Sequence, residues 1–249
     1  MNKFRIIPVI DIMNGIAVHA NKGVRNEYLP IHMKFSISSQ PIDLITTFFN
    51  NFGFAEVYIA DLDSIIREKP NFDLLRMLGK DSPLKIMLDA GIRNLYDVIQ
   101  FKSLGLSKII LATETIDSFS VIDDTINELG REHIIVSIDM KHQKLISESA
   151  EIARMDIKEI MEKLLERDIM EIILLDLAKI GSMEGDSASD YKNLRTQYPK
   201  VNFIVGGGVK DMKDINALKS QGFNGALVAT ALHKGIIKPS EIQSFYNLT

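Results

Sequence analysis

Two stretches decide the fold because they read as copies of each other. They are GIRNLYDVIQFKSLGLSKIILAT (residues 91–113) and GVKDMKDINALKSQGFNGALVAT (residues 208–230). Laid one over the other, they share Gly91/Gly208, Asp97/Asp214, Lys102/Lys219, Ser103/Ser220, Gly105/Gly222, Ala112/Ala229 and Thr113/Thr230. Each opens on a glycine turn, runs through an amphipathic stretch to a second glycine, and ends in a short apolar run closed by Ala-Thr. That is a helix stopped by glycine and followed by a buried strand. Further matches lie outside the pair. IIPVIDI (residues 6–12) lies over IIVSIDM (residues 134–140) and pairs Asp11 with Asp139, while YIADL and LLDLA pair Asp61 with Asp176. A repeat on this scale organises the whole chain.

Strand-like runs recur between these landmarks, at Arg5–Ile12, Glu56–Ala60, Lys85–Leu88, Lys108–Ala112, Ile134–Asp139, Glu171–Leu175, Asn202–Val205 and Ala226–Ala229. Their near-continuous Ile, Val and Leu content suits strands covered on both faces, as in a parallel sheet. Helical patterns separate them, at Pro41–Asn51, Leu95–Leu104, Ser118–Leu129, Asp156–Arg167, Ala188–Gln197 and Met212–Gln221. Eight strands alternating with helices fit either a doubly wound sheet or a closed barrel. The repeat selects an α/β (βα)8 TIM barrel built from two duplicated half-barrels, residues 1–125 and 126–249, as one domain.

Composition serves mainly to exclude. In 249 residues, 46% hydrophobic and 25% charged, 29 basic and 33 acidic side chains leave a formal charge of −4. No basic block exists to attract nucleic acid or an anionic membrane. Cysteine is absent, which removes disulfides, thiolate metal sites and cysteine nucleophiles. Tryptophan is absent too. His19, His32, His133, His142 and His233 show no metal-binding spacing. Neither a signal segment nor a membrane span is read, so the expectation is a cytoplasmic protein without cofactor or metal, and of open oligomeric state.

In such a barrel the chemistry sits at the C-terminal ends of the strands. Asp11, Asp61, Asp139 and Asp176 all fall there. Asp11 and Asp139, on the first and fifth strands, face each other across the mouth. Two carboxyls so placed can divide general acid and base work when their surroundings separate their pKa values. Strand-end aspartates also cap loops and helix starts, which is the plainer reading. After the seventh and eighth strands, VGGGVKD (residues 205–211) and VATALHKG (residues 228–235) form the usual barrel phosphate site, with Gly207, Gly208, Ala229 and Thr230 as its residues. The mirrored turn differs. Asp89-Ala90-Gly91 stands where the second half has Gly206-Gly207-Gly208, and Glu114 follows Thr113 where Ala231 follows Thr230. Two carboxylates there would repel a phosphate and instead suit a hydroxyl-rich or cationic end of a substrate, unless they turn outward or pair with Arg93 or Lys108. Lys141 and His19 are further candidate contacts. The first long loop, with Lys22, Arg25, Tyr28 and Lys34, is either a lid or a solvated surface segment.

At these residues the chain resembles the histidine-biosynthesis barrel family, comprising the phosphoribosylformimino-aminoimidazole-carboxamide ribotide isomerase and the imidazole-glycerol-phosphate synthase cyclase subunit. The resemblance runs through IIPVIDIMNG (residues 6–15), DAGIR (89–93), SIDMK (137–141), GGGVKD (206–211) and ATAL (229–232), essentially the whole chain. It implies that Asp11 and Asp139 are the catalytic pair. It also implies that the glycine turns bind phosphate, and that the reaction is an Amadori-type aldose–ketose isomerisation of a phosphorylated sugar or ribotide. Asp89, Gly91, Arg93, Thr113, Lys141, Asp176, Ser182 and His19 are the candidate substrate contacts. The chain departs from the family pattern in several places. DAGIR replaces GGGIR, Ile180-Gly181-Ser182 replaces DGT, His19 replaces a basic residue, and Ala229 replaces glycine. These changes point to a diverged, methanogen-type branch with its own substrate. A lyase or cyclase acting on a monophosphate, or a ligand-binding barrel without catalysis, are the alternatives.

Overall fold

Ile, Val and Leu in unbroken runs can be buried on both faces only where helices cover a sheet outside and side chains fill it inside. The computed structural model, which describes residues 3–19, 28–36, 38–142, 144–181 and 191–247, meets that condition with a closed barrel. Its strands are β1 (Arg5–Met13), β2 (Ile16–His19), β3 (Leu29–Pro30), β4 (Glu56–Asp61), β5 (Lys85–Asp89), β6 (Lys108–Ala112), β7 (Ile134–Lys141), β8 (Lys144–Leu145), β9 (Glu171–Asp176), β10 (Asn202–Gly206) and β11 (Gly225–Val228). The parallel ring runs β1-β4-β5-β6-β7-β9-β10-β11, and β11 closes onto β1 with Arg5 opposite Gly225 and Pro8 opposite Val228. The expected (βα)8 architecture is therefore the observed one, and β1 and β7 stand on opposite sides of it.

Strand alternation sorts the core into two layers. Ile7, Val9, Tyr58, Ala60, Met87, Ile110, Ile135, Ile173, Ile204 and Leu227 point inward and fill the barrel. Their neighbours, among them Ile6, Ile10, Ile59, Leu88, Leu111, Val136, Leu174 and Val205, point outward against the helices. At the closed end, Arg5 pairs with Glu56 at 2.6 Å and with Glu171, and Lys108 also pairs with Glu171. Burial works against the Glu171 charge, but Arg5 and Lys108 outweigh it and hold the carboxyl below its ordinary range. The bottom of the barrel is thus plugged by ion pairs, leaving the other end open.

The helices are α1 (Pro41–Thr47), α2 (Leu62–Arg67), α3 (Phe72–Asp81), α4 (Leu95–Lys102), α5 (Ser120–Leu129), α6 (Ile157–Leu165), α7 (Lys192–Gln197), α8 (Met212–Ser220), α9 (Thr230–His233) and α10 (Pro239–Asn247). Three features differ from the sequence reading. Helix α1 passes at Phe48–Phe52 into a π turn that ends on left-handed Gly53. Helices α2 and α3 occupy a stretch where no helix was read, because Glu68 in a left-handed conformation and Pro70 cut the pattern short. Two hairpins also extend the mouth. β1 turns back into β2 through Asn14 (φ 52°) and Gly15 (φ 76°), with Met13 opposite Ile16. β7 also pairs antiparallel with β8, with Lys141 opposite Lys144. No helix among the described residues is long and apolar enough to cross a membrane.

Candidate active site

The open end holds a cavity of about 420 Å³. Asp11, Asp89, Asp139, Glu114, Lys141, Tyr58 and Tyr28 line it, together with Gly207, Gly208, Ala229 and Thr230. Val9, Ala60, Leu175 and Leu227 form its floor, one residue pair below the rim on the inward face. The expected catalytic pair therefore shares one chamber. Asp11 comes from β1 and Asp139 from β7 across the ring.

The two aspartates live in different surroundings. Asp11 is half-buried, and the β1–β2 hairpin fixes its backbone, with Asp11 opposite Val18. Asp139 is 2% exposed. Its Oδ1 accepts from the Ser137 hydroxyl at 2.7 Å, and its Oδ2 from the Glu114 amide at 3.2 Å and the Thr113 hydroxyl at 3.4 Å. The Asp139 amide donates back to Thr113 Oγ1 at 2.9 Å. Burial first, then the neighbouring Asp89 charge and Glu114, push the Asp139 carboxyl up to about 7 against the pull of Ser137. A carboxyl in that range holds and releases a proton near neutral pH.

Tyr58 is a site residue that the sequence reading missed. It points inward from β4 and its hydroxyl donates to Asp89 Oδ2 at 2.9 Å. Burial, then the Asp89 and Asp139 charges, raise its phenol well above the ordinary value, so it stays protonated. The available signal was a tyrosine inside a fully buried run, whose polar tip needs a partner. Asp89 also accepts from the Gly91 amide, at 3.2 Å through Oδ1.

The remaining expected contacts divide into those facing the cavity and those behind it. Lys141 faces it from the end of β7. Arg93 does not line it. Its guanidinium donates to the Gly91 and Ile65 carbonyls at 2.8 and 3.1 Å and pairs with Glu148 at 3.4 Å, which stiffens the turn from behind. Thr113 is fully buried and orients Asp139. Asp176 is a cap, as Oδ1 accepts from the Ala178 amide at 2.9 Å and the His142 amide at 3.3 Å. Asp61 caps α2 through the Ser64 amide at 3.3 Å, and burial raises its carboxyl to about 6. His19 lies off the lining against His233, with burial and then Lys234 lowering its imidazole. Ser182, Lys22 and Arg25 lie outside the described residues. Lys34 is described, and its amide donates to the His233 carbonyl.

On the glycine side, Gly207 and Gly208 carry φ values of 93° and 82°. A Cβ at Gly207 would meet the Asp176 carbonyl oxygen at 2.7 Å, so no larger residue fits this turn unchanged. The Gly208, Thr230 and Ala231 amides have no acceptor among the described residues. This wall of the cavity therefore offers hydrogen-bond donors, whereas the opposite wall offers carboxylates. Among the described residues, no three acidic or histidine side chains are grouped closely enough to hold a metal ion.

Comparison with known proteins agrees with this geometry. Residues 5–238 match the histidine biosynthesis protein family. An uncharacterized protein of Methanocaldococcus jannaschii is 33% identical over 243 residues, covering 96% of this chain and 97% of the relative. The 1-(5-phosphoribosyl)-5-((5-phosphoribosylamino)methylideneamino) imidazole-4-carboxamide isomerases of Leuconostoc mesenteroides and Brachyspira hyodysenteriae are 24% and 29% identical. They cover 96% and 95% of this chain, and the matches span 98% and 97% of those relatives.

Proposed function

The chain belongs to the histidine biosynthesis protein family, and from that premise we propose that it is an intramolecular isomerase acting on a phosphorylated sugar or ribotide derivative. The observation that carries this reading is the convergence of Asp11 and Asp139, from opposite strands, on one cavity bordered by the Gly207–Gly208 and Ala229–Thr230 turns. A phosphate seated on those turns meets the Gly208, Thr230 and Ala231 amides, and the sugar then extends between the two carboxyls.

The chemistry is an Amadori-type rearrangement. Asp139, which holds a proton near neutral pH, gives it to the ring oxygen of an aldosylamine, and the ring opens to a protonated imine. Asp11 removes the proton from C2, and the electron pair neutralises the imine nitrogen. The enaminol then takes that proton at C1 as its C2 hydroxyl gives its own to Asp139, which yields the aminoketose and restores both carboxyls. The atoms of substrate and product are the same, and no oxidant or cofactor enters. Asp89 and Glu114 face the part of the substrate remote from the phosphate, where their charge favours hydroxyl or amino groups. The substrate accordingly differs from the one named for the imidazole-4-carboxamide isomerases. The duplicated half-barrels of residues 1–125 and 126–249 belong to the same reading, since each contributes one carboxyl of the pair.

Isomerase assays on phosphorylated aldosylamines test the proposal. Turnover that vanishes in both Asp11→Asn and Asp139→Asn supports it, and full rate in Asp11→Asn overturns it. Introducing the chain into a histidine auxotroph that lacks the imidazole-4-carboxamide isomerase tests substrate divergence. No growth is expected, and growth would sink that part of the reading.

A further inference from the structure

The two walls of the cavity present equivalent backbone turns, but one of them is already filled by the protein's own side chains. In the second half, Gly206 ends β10 and the Gly208 and Ala231 amides have no acceptor among the described residues. At the matching positions of the first half, the Gly91 amide donates to Asp89 Oδ1 and the Glu114 amide to Asp139 Oδ2, both at 3.2 Å. Carboxylate oxygens thus sit where phosphate oxygens would sit on the other wall. The inward position two residues before the cavity floor completes the contrast. It is Tyr58 on β4, whose hydroxyl donates to the other oxygen of Asp89, Oδ2, at 2.9 Å, and apolar Ile173 on β9. Nor could the second half carry the same plug without rearrangement, because a Cβ at Gly206 would lie 2.6 Å from Leu175 Cδ1.

We infer that Asp89, held in place by Tyr58, determines specificity by occupying the first-half turn as a built-in anion, and so limits this barrel to substrates bearing a single phosphate. The inference rests on the phosphate role proposed for the second-half turn and adds the residue pair that sets the phosphate count. Tyr58 is a positioning residue, since it acts on the ligand only through Asp89. A phosphate brought to the first-half turn has to displace a carboxylate that already accepts from Tyr58 and the Gly91 amide, and it meets the Glu114 charge as well. A substrate with a neutral opposite end meets neither cost.

The test is the stoichiometry of inorganic phosphate, read by isothermal titration. It is joined by the affinity ratio of ribulose 1,5-bisphosphate to ribose 5-phosphate. The wild-type chain is expected to take one phosphate and to gain nothing from the second phosphate of the bisphosphate. Tyr58→Phe/Asp89→Gly removes donor and acceptor together, so no buried hydroxyl is stranded. It should take two phosphates, and its affinity ratio should rise by about tenfold or more. Asp89→Ala, which keeps the strand's Cβ, gives a second route to the same readout should the double variant fail to fold. Two phosphates on the wild type, or the same number on a folded variant as on the wild type, would overturn the inference. A wild type that binds none, with a variant that binds one, would support the plug while refuting the second-half phosphate role.

Discussion

The turn after β5 and the turn after β10 share a backbone shape and differ in charge. Gly91 and Gly208 both adopt a left-handed conformation, with φ values of 63° and 82°. Both turns lead into a helix whose N-cap side chain bonds the first-turn amides, Asn94 in one and Asp211 in the other. Beyond that the likeness stops. Asp89 makes the first turn acidic and Glu114 flanks it from the turn after β6, whereas the second brings Gly207, Gly208 and Val209 to the cavity and no carboxylate. On the proposed reading, one scaffold supports two recognitions. The backbone sets where a ligand oxygen or an internal carboxylate can sit, and a single side chain decides which of them does.

The halves are alike in one respect that matters more than any difference, namely that each brings one carboxyl of the proposed catalytic pair to the cavity. Breaking either one should produce the largest effect available. Asp11→Asn and Asp139→Asn are each expected to lower kcat by about a hundred- to ten-thousand-fold, the usual weight of general acid–base catalysis. Steady-state rates on a turned-over aldosylamine phosphate provide the measurement. A large loss at one position with full activity at the other would break the symmetry of the pair.

The environments of the two carboxyls can be separated by stability. With its native pKa raised from the ordinary carboxylate value to about 7, Asp139 keeps its proton in the folded chain over a range where the unfolded chain has lost it. Stability therefore falls as pH rises through that window, by up to about 4 kcal/mol. Asp61, raised to about 6, adds to the fall with the same sign. Asp139→Asn should flatten the curve, so denaturant unfolding at pH 5 and pH 8 should differ less in the variant than in the wild type. Parallel curves would mean that Asp139 is not a buried neutral acid.

The two turns can then be compared glycine by glycine. An alanine Cβ at Gly207 would meet the Asp176 carbonyl oxygen at 2.7 Å, and one at Gly91 would meet Ile65 Cα at the same 2.7 Å. Both substitutions also force a positive φ on a residue with a side chain, so each should cost about 1–3 kcal/mol in thermal or denaturant unfolding. Their effects on phosphate should differ. Gly207→Ala is expected to weaken phosphate binding by about tenfold, and Gly91→Ala by much less. Equal weakening would erase the distinction between the turns.

The barrel was legible because burial on both faces and the repeat are properties of the local sequence, and the same repeat singled out Asp11 and Asp139, which line one cavity. What escaped depended on contacts across the ring. Tyr58 reads as one more apolar-run residue until β4 and β5 pair and bring its hydroxyl to Asp89. Asp176 has the position of a catalytic carboxyl, yet the amides that fold over it make it a cap. Arg93 looks available to an anion until the Ile65 carbonyl and Glu148, far off in sequence, claim it. The Asn14-Gly15 hairpin, by contrast, was readable. Asn-Gly is the strongest short signal for a two-residue turn, and both residues have positive φ here. It forms an antiparallel return within a ring of otherwise parallel strands.

The finest distinction between the halves lies two residues before each catalytic carboxyl. On β7 that inward residue is Ser137, whose hydroxyl donates to Asp139 Oδ1 at 2.7 Å, and on β1 it is apolar Val9. The Ser137 hydrogen bond favours the charged carboxylate and so restrains the upward push of burial on Asp139. Removing it in Ser137→Ala should raise the Asp139 pKa further, by about half to one unit for a bond worth about 1 kcal/mol. If Asp139 is the proton donor, kcat/KM declines as pH rises through its pKa, and the variant should carry that decline to higher pH. The opposite limb, which belongs to the base, should stay in place because Ser137 bonds Asp139 and not Asp11. A change of rate at every pH with both limbs fixed would make Ser137 a packing residue only. Movement of the acidic limb instead would exchange the roles of the two halves, making Asp139 the base and Asp11 the acid.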